Sequence, residues 1–190
     1  QNLHSKMWAY AKIQTYSNQT EPFLHVDGDV FIWKAFDEAL MQSGLIAQNL
    51  ENNLDIYHNS INTIEKCAEF KPNWLTHSKS HPKAYNAGIL GGTDLAFIKE
   101  YTDLAFEFYE KNKPQLEVLT TEDRNINCIV EQYLFYVLSE KQSKPISVFT
   151  ALPTSGRFRV TITNPLLRLS TKSVLKASSL ILLSIISVLI

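Results

Sequence analysis

Short apolar runs alternate with longer amphipathic segments along the first 141 residues of this 190-residue chain. Apolar residues at helical spacing predict helices over residues 3–16, 57–70, 94–112 and 125–141. Shorter apolar runs predict buried strands at residues 23–26 and 44–49, a short strand or a turn at 84–90, and a weak strand at 115–119. Because strands that alternate with helices favour a sheet covered by helices, we predict an α/β fold with a mixed sheet flanked by helices.

Charge divides the chain near residue 141. Residues 1–140 contain all 19 acidic residues, whereas residues 141–190 contain seven of the 18 Lys and Arg residues and no acid. The second part is also rich in Ser and Thr. We therefore expect a recognisable domain over residues 1–141. Residues 142–190 are expected to form an atypical basic tail that is not native to the fold.

The composition also argues against several classes of protein. The acidic first part does not suit a nucleic-acid surface, which needs clustered Lys and Arg. Cys67 and Cys128 are too few for a disulfide scaffold or a Cys-rich zinc site. The uncharged run 177–190 would make a helix of roughly 21 Å, shorter than the ~30 Å hydrocarbon core of a bilayer. We expect a cytoplasmic protein, in which residues 174–190 are the segment that would contact a membrane.

Two carboxylates follow the first predicted strand. Asp27 and Asp29 come directly after the apolar run 23–26, and Gly28 between them leaves room for a ligand. Positions i and i+2 of a strand face the same side, and open α/β sheets bind ligands at the carboxyl ends of their strands. Two convergent carboxylates suit a hard divalent cation, Mg²⁺ or Mn²⁺, which would in turn hold a diphosphate. The alternative is a solvated turn between two strands.

A glycine-rich segment precedes the helix predicted at residues 94–112. Residues 86–92 (NAGILGG) hold three glycines in five positions, and the free N–H groups at a helix start suit phosphate. The segment matches neither common phosphate-loop motif, so a tight turn is the alternative. Glu131 and Gln132 lie within the helix predicted at 125–141, where a solvated position is the alternative to a catalytic one.

In this order, the HVDGDVF block, the NAGILGG block and the Glu131–Gln132 pair resemble GT-A-fold glycosyltransferases. Within that group the chain is most similar to a bacterial family of uncharacterised domains with the same two blocks. The resemblance covers about residues 6–140. It implies a nucleotide-sugar donor, an acceptor of unknown identity, and Mn²⁺ or Mg²⁺ bridging the donor diphosphate. It also implies that the domain lacks the N-terminal nucleoside-binding half of such enzymes.

Carried over by position, the resemblance assigns roles to individual residues. Asp29 would bind the metal directly, and Asp27 would contact the ribose or reach the metal through water. Glu131 or Gln132 would face the reacting sugar. The sugar or acceptor pocket would be shaped by Asn86, Ala87, Gly88 and Gly92.

Two alternatives to a glycosyltransferase stay open. The first is a non-catalytic domain, truncated or degenerate, that binds sugar or nothing. The second is a haloacid-dehalogenase-like phosphatase, with Asp27 as nucleophile and Asp29 as acid/base. That family has Gly and then Thr or Val after the second Asp, whereas Val30 and Phe31 stand here.

Overall fold

The computed structural model describes residues 7–32, 35–77, 79–119 and 125–149, together with the backbone of a strand at 186–189. The elements of the first half are α1 (Trp8–Ser17), β1 (Phe23–Val26), α2 (Glu38–Met41), β2 (Ile46–Asn52), α3 (Asp55–Cys67), a 3₁₀ turn (Asn73–Thr76) and β3 (Lys83–Gly92). They are followed by α4 (Leu95–Lys111), α5 (Lys113–Glu117), α6 (Ile126–Cys128), a π-helical segment (Ile129–Tyr133), α7 (Leu134–Lys141), β4 (Ser147–Val148) and β5 (Ile186–Leu189).

The strands form a mixed sheet in the order β4-β2-β3-β1-β5. The central strand β3 pairs antiparallel with both β1 and β2, while β4 runs parallel to β2 and β5 runs antiparallel to β1. In this register Phe23 lies opposite Gly92 and Val26 opposite Ile89. The predicted α/β class with a mixed sheet and flanking helices is therefore confirmed.

The two faces of the sheet have unequal cover. Alternation along β1 sends Phe23 into the main core, which lies between the sheet and the long helices. Leu24 faces the other way and packs with Ile46 and Ile89 in a smaller core, covered by residues of the segment before β2 and by Phe149. The helical face therefore supplies most of the buried surface, and it also holds the polar site described below.

Buried amides join distant segments of the helical layer. The side chain of Asn112 accepts a hydrogen bond from Phe70 N at 2.8 Å and donates one to Phe70 O at 2.9 Å. Asn127 accepts from Ala9 N at 3.0 Å, which anchors the first turn of α1 on α6. Both asparagines are fully buried, so these bonds replace the water that their amides and the chain would otherwise need.

Contacts of the fold continue past the change of charge at residue 141. Asp94 caps α4 by accepting from Phe97 N at 3.0 Å. The same carboxylate pairs with Lys144 at 2.6 Å. Ser147 N then donates to Leu45 O at 2.9 Å, where β4 joins the edge of the sheet.

The structure corrects two predictions of local structure. The segment 84–90, predicted as a short strand or a turn, is part of β3, and Gly91 and Gly92 continue that strand instead of breaking it. Glycine allows close approach there, because a Cβ at Gly91 would collide with the carbonyl of Phe23. The weak strand predicted at 115–119 is wrong. Residues 115–117 belong to α5. The first turn of this helix contains a proline, and the fixed φ of proline suits that position.

Several predicted segments lie outside the described residues, namely residues 3–6 of the first helix and residues 150–185 of the tail. None of the helices in the described part of the chain is both long and apolar enough to cross a bilayer.

Gly92 is a position where the fold requires glycine. Its φ is 132°, and a Cβ there would meet the carbonyl oxygen of Gly44. We expect Gly92→Ala to destabilise the protein by roughly 1–3 kcal/mol, which lowers Tm by several degrees. Gly44→Ala is the control, since its Cβ would meet Asp94 at an ordinary 3.9 Å. Equal melting temperatures for the two variants in calorimetry would contradict this account.

Candidate functional site

A buried lysine holds two carboxylates together beside the end of β1. Lys12 Nζ lies 2.8 Å from Asp27 Oδ1 and 2.6 Å from Glu131 Oε1. It also donates to the carbonyl of Ala87 at 3.3 Å. The Lys12 side chain is 11 % exposed, that of Asp27 is 33 % exposed, and Glu131 is fully buried. Since an ammonium has three N–H donors, these three acceptors use its full capacity.

Helix α1 supplies this lysine through a stripe of side chains one turn apart. Trp8, Lys12 and Tyr16 follow at i, i+4 and i+8, so they lie above one another on one face. Tyr16 is buried and donates to Glu131 Oε1 at 3.1 Å. The stripe therefore runs from solvent at Trp8 to the core at Tyr16, with Lys12 between them.

Asp27 is held from several sides. Its backbone N–H donates to Gly88 O at 2.8 Å, which extends the β1–β3 pairing by one residue. The buried ring of His25 contacts Asp27 Oδ1 through Nε2 at 3.0 Å. The carbonyl of Asp27 accepts from Val30 N at 3.0 Å, so the chain turns immediately afterwards. The carboxylate is therefore fixed in position, with one third of its side chain open to solvent.

A second polar cluster adjoins the first through β3. Asn86 donates to Glu51 Oε1 at 2.9 Å, and its own Oδ1 accepts from Gly88 N at 2.9 Å. The buried hydroxyl of Tyr57 donates to the other oxygen of Glu51 and lies 2.7 Å from Gln132 Oε1. Glu51, Asn86 and Gln132 are half-buried, so part of each residue is open to solvent.

The π-helical segment places consecutive residues in the two clusters. Glu131 turns toward Lys12, while Gln132 turns toward Tyr57. The Tyr101 hydroxyl donates to the backbone carbonyl of Glu131 at 2.9 Å, which supports this irregular turn from α4. Single π turns inside α-helices occur frequently at functional sites.

Burial and pairing set the charge states of the first cluster. Burial alone would lower the pKa of Lys12, but the carboxylates of Glu131 and Asp27 outweigh it and raise that pKa. For Asp27, burial opposes ionisation, yet the hydrogen bond from His25 and the charge of Lys12 lower its pKa. Burial raises the pKa of Glu131 despite Lys12, and its Oε2 has no hydrogen-bond partner among the described residues.

The predicted site residues fall into two groups. The structure brings together Asp27, Asn86, Ala87, Gly88, Glu131 and Gln132. Gly92 is not among them, because it lies at the other end of β3, opposite Phe23. Asp29 and Gly28 are exposed in the turn after β1. β1 ends at Val26, so strand alternation does not extend over Asp27 and Asp29, and the convergence of these two carboxylates stays a prediction.

The donor set for a divalent cation is small. Within the described ranges, no three His, Cys, Asp or Glu side chains are grouped to hold a metal. Both oxygens of Asp27 contact Lys12, at 2.8 and 3.1 Å, so this carboxylate already has a counter-charge. Asp29 alone of the predicted ligands is exposed for a cation. Mg²⁺ commonly combines one or two carboxylates with phosphate oxygens, and the metal site at Asp29 stays a prediction of that kind.

Sequence reasoning missed Lys12, Tyr16, Glu51 and Tyr57. The usable signal was the stripe on α1, where a lysine stands between two aromatic residues that are each one turn away. Glu51 and Tyr57 belong to different elements, and no spacing in the sequence links either of them to Asn86.

A surface groove lies apart from these residues. It is lined by the 3₁₀ turn, α4 and α7, chiefly through Phe70, Pro72, Trp74, Leu104 and Leu138. None of the predicted site residues contributes to it.

Comparisons with known proteins identify a family but no characterised relative. A family model matches residues 1–171, and it describes a family of unknown function (DUF6734). No curated protein and no solved structure matches the chain. The family match therefore extends beyond the change of charge at residue 141.

Removal of the shared lysine tests whether it holds the site together. We expect Lys12→Met to lower the free energy of unfolding by roughly 3–5 kcal/mol, because two carboxylates lose their counter-charge and one of them is fully buried. Lys99→Met is the control, since its exposed pair with Asp103 contributes less than about 1 kcal/mol. Urea denaturation measures both, and equal losses would contradict the assigned role of Lys12.

The pKa of Asp27 gives a dependence of stability on pH. Because its pKa in the folded protein lies below 3.8, its ionised form stabilises the fold above that pH. That contribution is lost as the pH falls through the folded value. We expect the Tm difference between wild type and Asp27→Asn to be constant from about pH 7 to pH 5 and to shrink below pH 3.8. A difference that persists unchanged at about pH 3 would contradict the ion pair.

Proposed function

Since the chain belongs to this family of unknown function, we propose its function from the site alone. The proposal is that the domain binds a nucleotide sugar as a glycosyltransferase-like donor site. One observation supports the proposal above all. Three segments that are far apart in the chain meet in one hydrogen-bonded polar site. They are the end of β1, the middle of β3 and the π-helical segment. These are the segments whose motifs resemble GT-A-fold glycosyltransferases.

The reachable groups suit the hydroxyls of a sugar. The carboxylates of Asp27 and Glu51 accept hydrogen bonds from hydroxyl groups, and the amides of Asn86 and Gln132 both donate and accept. The site contains three carboxylates, those of Asp27, Glu51 and Glu131, but only one lysine, which pairs with Asp27 and Glu131. The carboxylates therefore outnumber the positive charge. A donor diphosphate would therefore need a cation, which Asp29 would help to hold and which would stabilise the charge on the departing diphosphate.

The two residues predicted to face the reacting sugar differ in access. Glu131 is fully buried and already contacts Lys12 and Tyr16, so its role is to position Lys12. Gln132 is half-buried and contacts the hydroxyl of Tyr57. The neighbouring pair in this cluster is Asn86 and Glu51. In this proposal Gln132 contacts the sugar, and Glu131 acts through Lys12.

The alternatives receive less support from the geometry. A phosphatase would use Asp27 as its nucleophile, but Lys12 contacts both oxygens of that carboxylate and His25 contacts one. A non-catalytic sugar-binding domain would use the same residues as the donor site. Turnover of a nucleotide sugar to free nucleoside diphosphate separates a transferase from that alternative.

Ligand-induced stabilisation tests the proposal. We expect at least one of UDP-glucose, UDP-N-acetylglucosamine and GDP-mannose, with Mn²⁺, to raise Tm, since a ligand at 100 times its Kd stabilises by about 2.7 kcal/mol. Asn86→Ala should weaken the shift because it removes an amide and frees Glu51. Asp29→Asn should remove the part of the shift that depends on Mn²⁺. Asp103→Asn, at an exposed position on α4, is the matched control.

The outcomes separate the parts of the proposal. Absence of a shift with every nucleotide sugar, with or without Mn²⁺, would overturn donor binding. A shift whose Mn²⁺ dependence survives Asp29→Asn would overturn only the metal assignment. Hydrolysis of p-nitrophenyl phosphate that is lost in Asp27→Asn would favour the phosphatase instead.

A further inference from the structure

Trp8 stands exposed at the rim of the polar site. It lies one turn before Lys12 on α1, and Lys12 Nζ is 5.6 Å from the centre of its ring. Since Lys12 also contacts Asp27, the indole and the partly open carboxylate flank the same ammonium. Trp8 is 41 % exposed, whereas tryptophan residues are on average mostly buried.

The exposure of Trp8 does not come from a loose helix end. Its neighbours in sequence, Met7 and Ala9, are 1 % and 0 % exposed. Ala9 N is bonded to the buried side chain of Asn127 at 3.0 Å, and Tyr10 N donates to Met7 O at 3.0 Å. Both neighbours of Trp8 are thus buried in the core, while the indole itself extends to solvent.

An exposed indole beside a hydrogen-bond acceptor suits a sugar ring. Its flat apolar face can cover the C–H face of a sugar ring, and aromatic contacts of this kind gain both buried area and specific geometry. The carboxylate of Asp27, which also contacts Lys12, can accept a hydrogen bond from a sugar hydroxyl. A phosphate would instead be repelled by Asp27 and would find Lys12 already bonded to three acceptors.

From these contacts we infer that Trp8 packs against the sugar ring of the bound ligand while Asp27 accepts a hydrogen bond from one of its hydroxyls. This inference rests on the proposed function, because it names the part of the donor that this side of the site contacts. Trp8 is a binding residue in this account and takes no part in bond breaking.

Binding measurements on substituted proteins test the inference. Wild type, Trp8→Ala and Trp8→Phe are titrated by calorimetry with UDP-glucose, UDP-N-acetylglucosamine and GDP-mannose, and with UDP and GDP alone. We expect Trp8→Ala to weaken binding of the sugar-bearing ligand about tenfold and Trp8→Phe to weaken it less, because a smaller flat ring remains. Val118→Ala, which removes another exposed apolar side chain, should bind as wild type does.

Each result decides a different point. Affinities for UDP or GDP that are unchanged in Trp8→Ala, beside weakened binding of the nucleotide sugar, support contact with the sugar ring. An equal loss for the nucleotide alone would overturn it in favour of the base. Unchanged binding of the nucleotide sugar by Trp8→Ala would overturn the inference and leave donor binding intact. Absence of any binding by wild type would overturn the proposed function and the inference together.

Discussion

The ion pairs of Lys12 are the constraint on which the arrangement of this domain depends. Glu131 is fully buried, and a buried carboxylate without a counter-charge is too costly for a folded protein to keep. Lys12 supplies that charge from α1, and it reaches Asp27 at the end of β1 at the same time. One ammonium therefore couples the first helix, the first strand and the π-helical segment, three elements that no backbone hydrogen-bond ladder joins.

This coupling places polar groups where a ligand can use them. The buried end of the cluster, Glu131 with Tyr16, fixes Lys12, and the outer end leaves part of Asp27 exposed. The central strand β3 lies beside these groups. Its backbone takes part directly, since the carbonyl of Ala87 accepts from Lys12 and the carbonyl of Gly88 accepts from Asp27 N. The cluster around Glu51 includes Asn86 of β3, which also accepts from Gly88 N. Both clusters therefore lie against the same strand.

The sequence allowed some of this to be predicted, for physical reasons that differ between elements. β1 was predicted correctly because a short apolar run is a local signal. The last two residues of β3, Gly91 and Gly92, were expected to break the strand because adjacent glycines indicate a turn unless the neighbouring backbones that require them are known. Lys12 was missed because a lysine on an amphipathic helix is normally solvated. Only the tertiary fold brings two carboxylates to it.

Hydrogen exchange of the full chain with and without a nucleotide sugar most directly tests whether this site binds the donor. With saturating UDP-glucose, UDP-N-acetylglucosamine or GDP-mannose and Mn²⁺, the account predicts slower exchange in residues 8–16, 25–32, 84–90 and 128–134. These four segments are separate in sequence and meet around Lys12 and Glu51. Slower exchange confined to residues 70–75 and 100–107, which line the separate groove, would contradict the account. So would exchange that no nucleotide sugar changes anywhere in the chain.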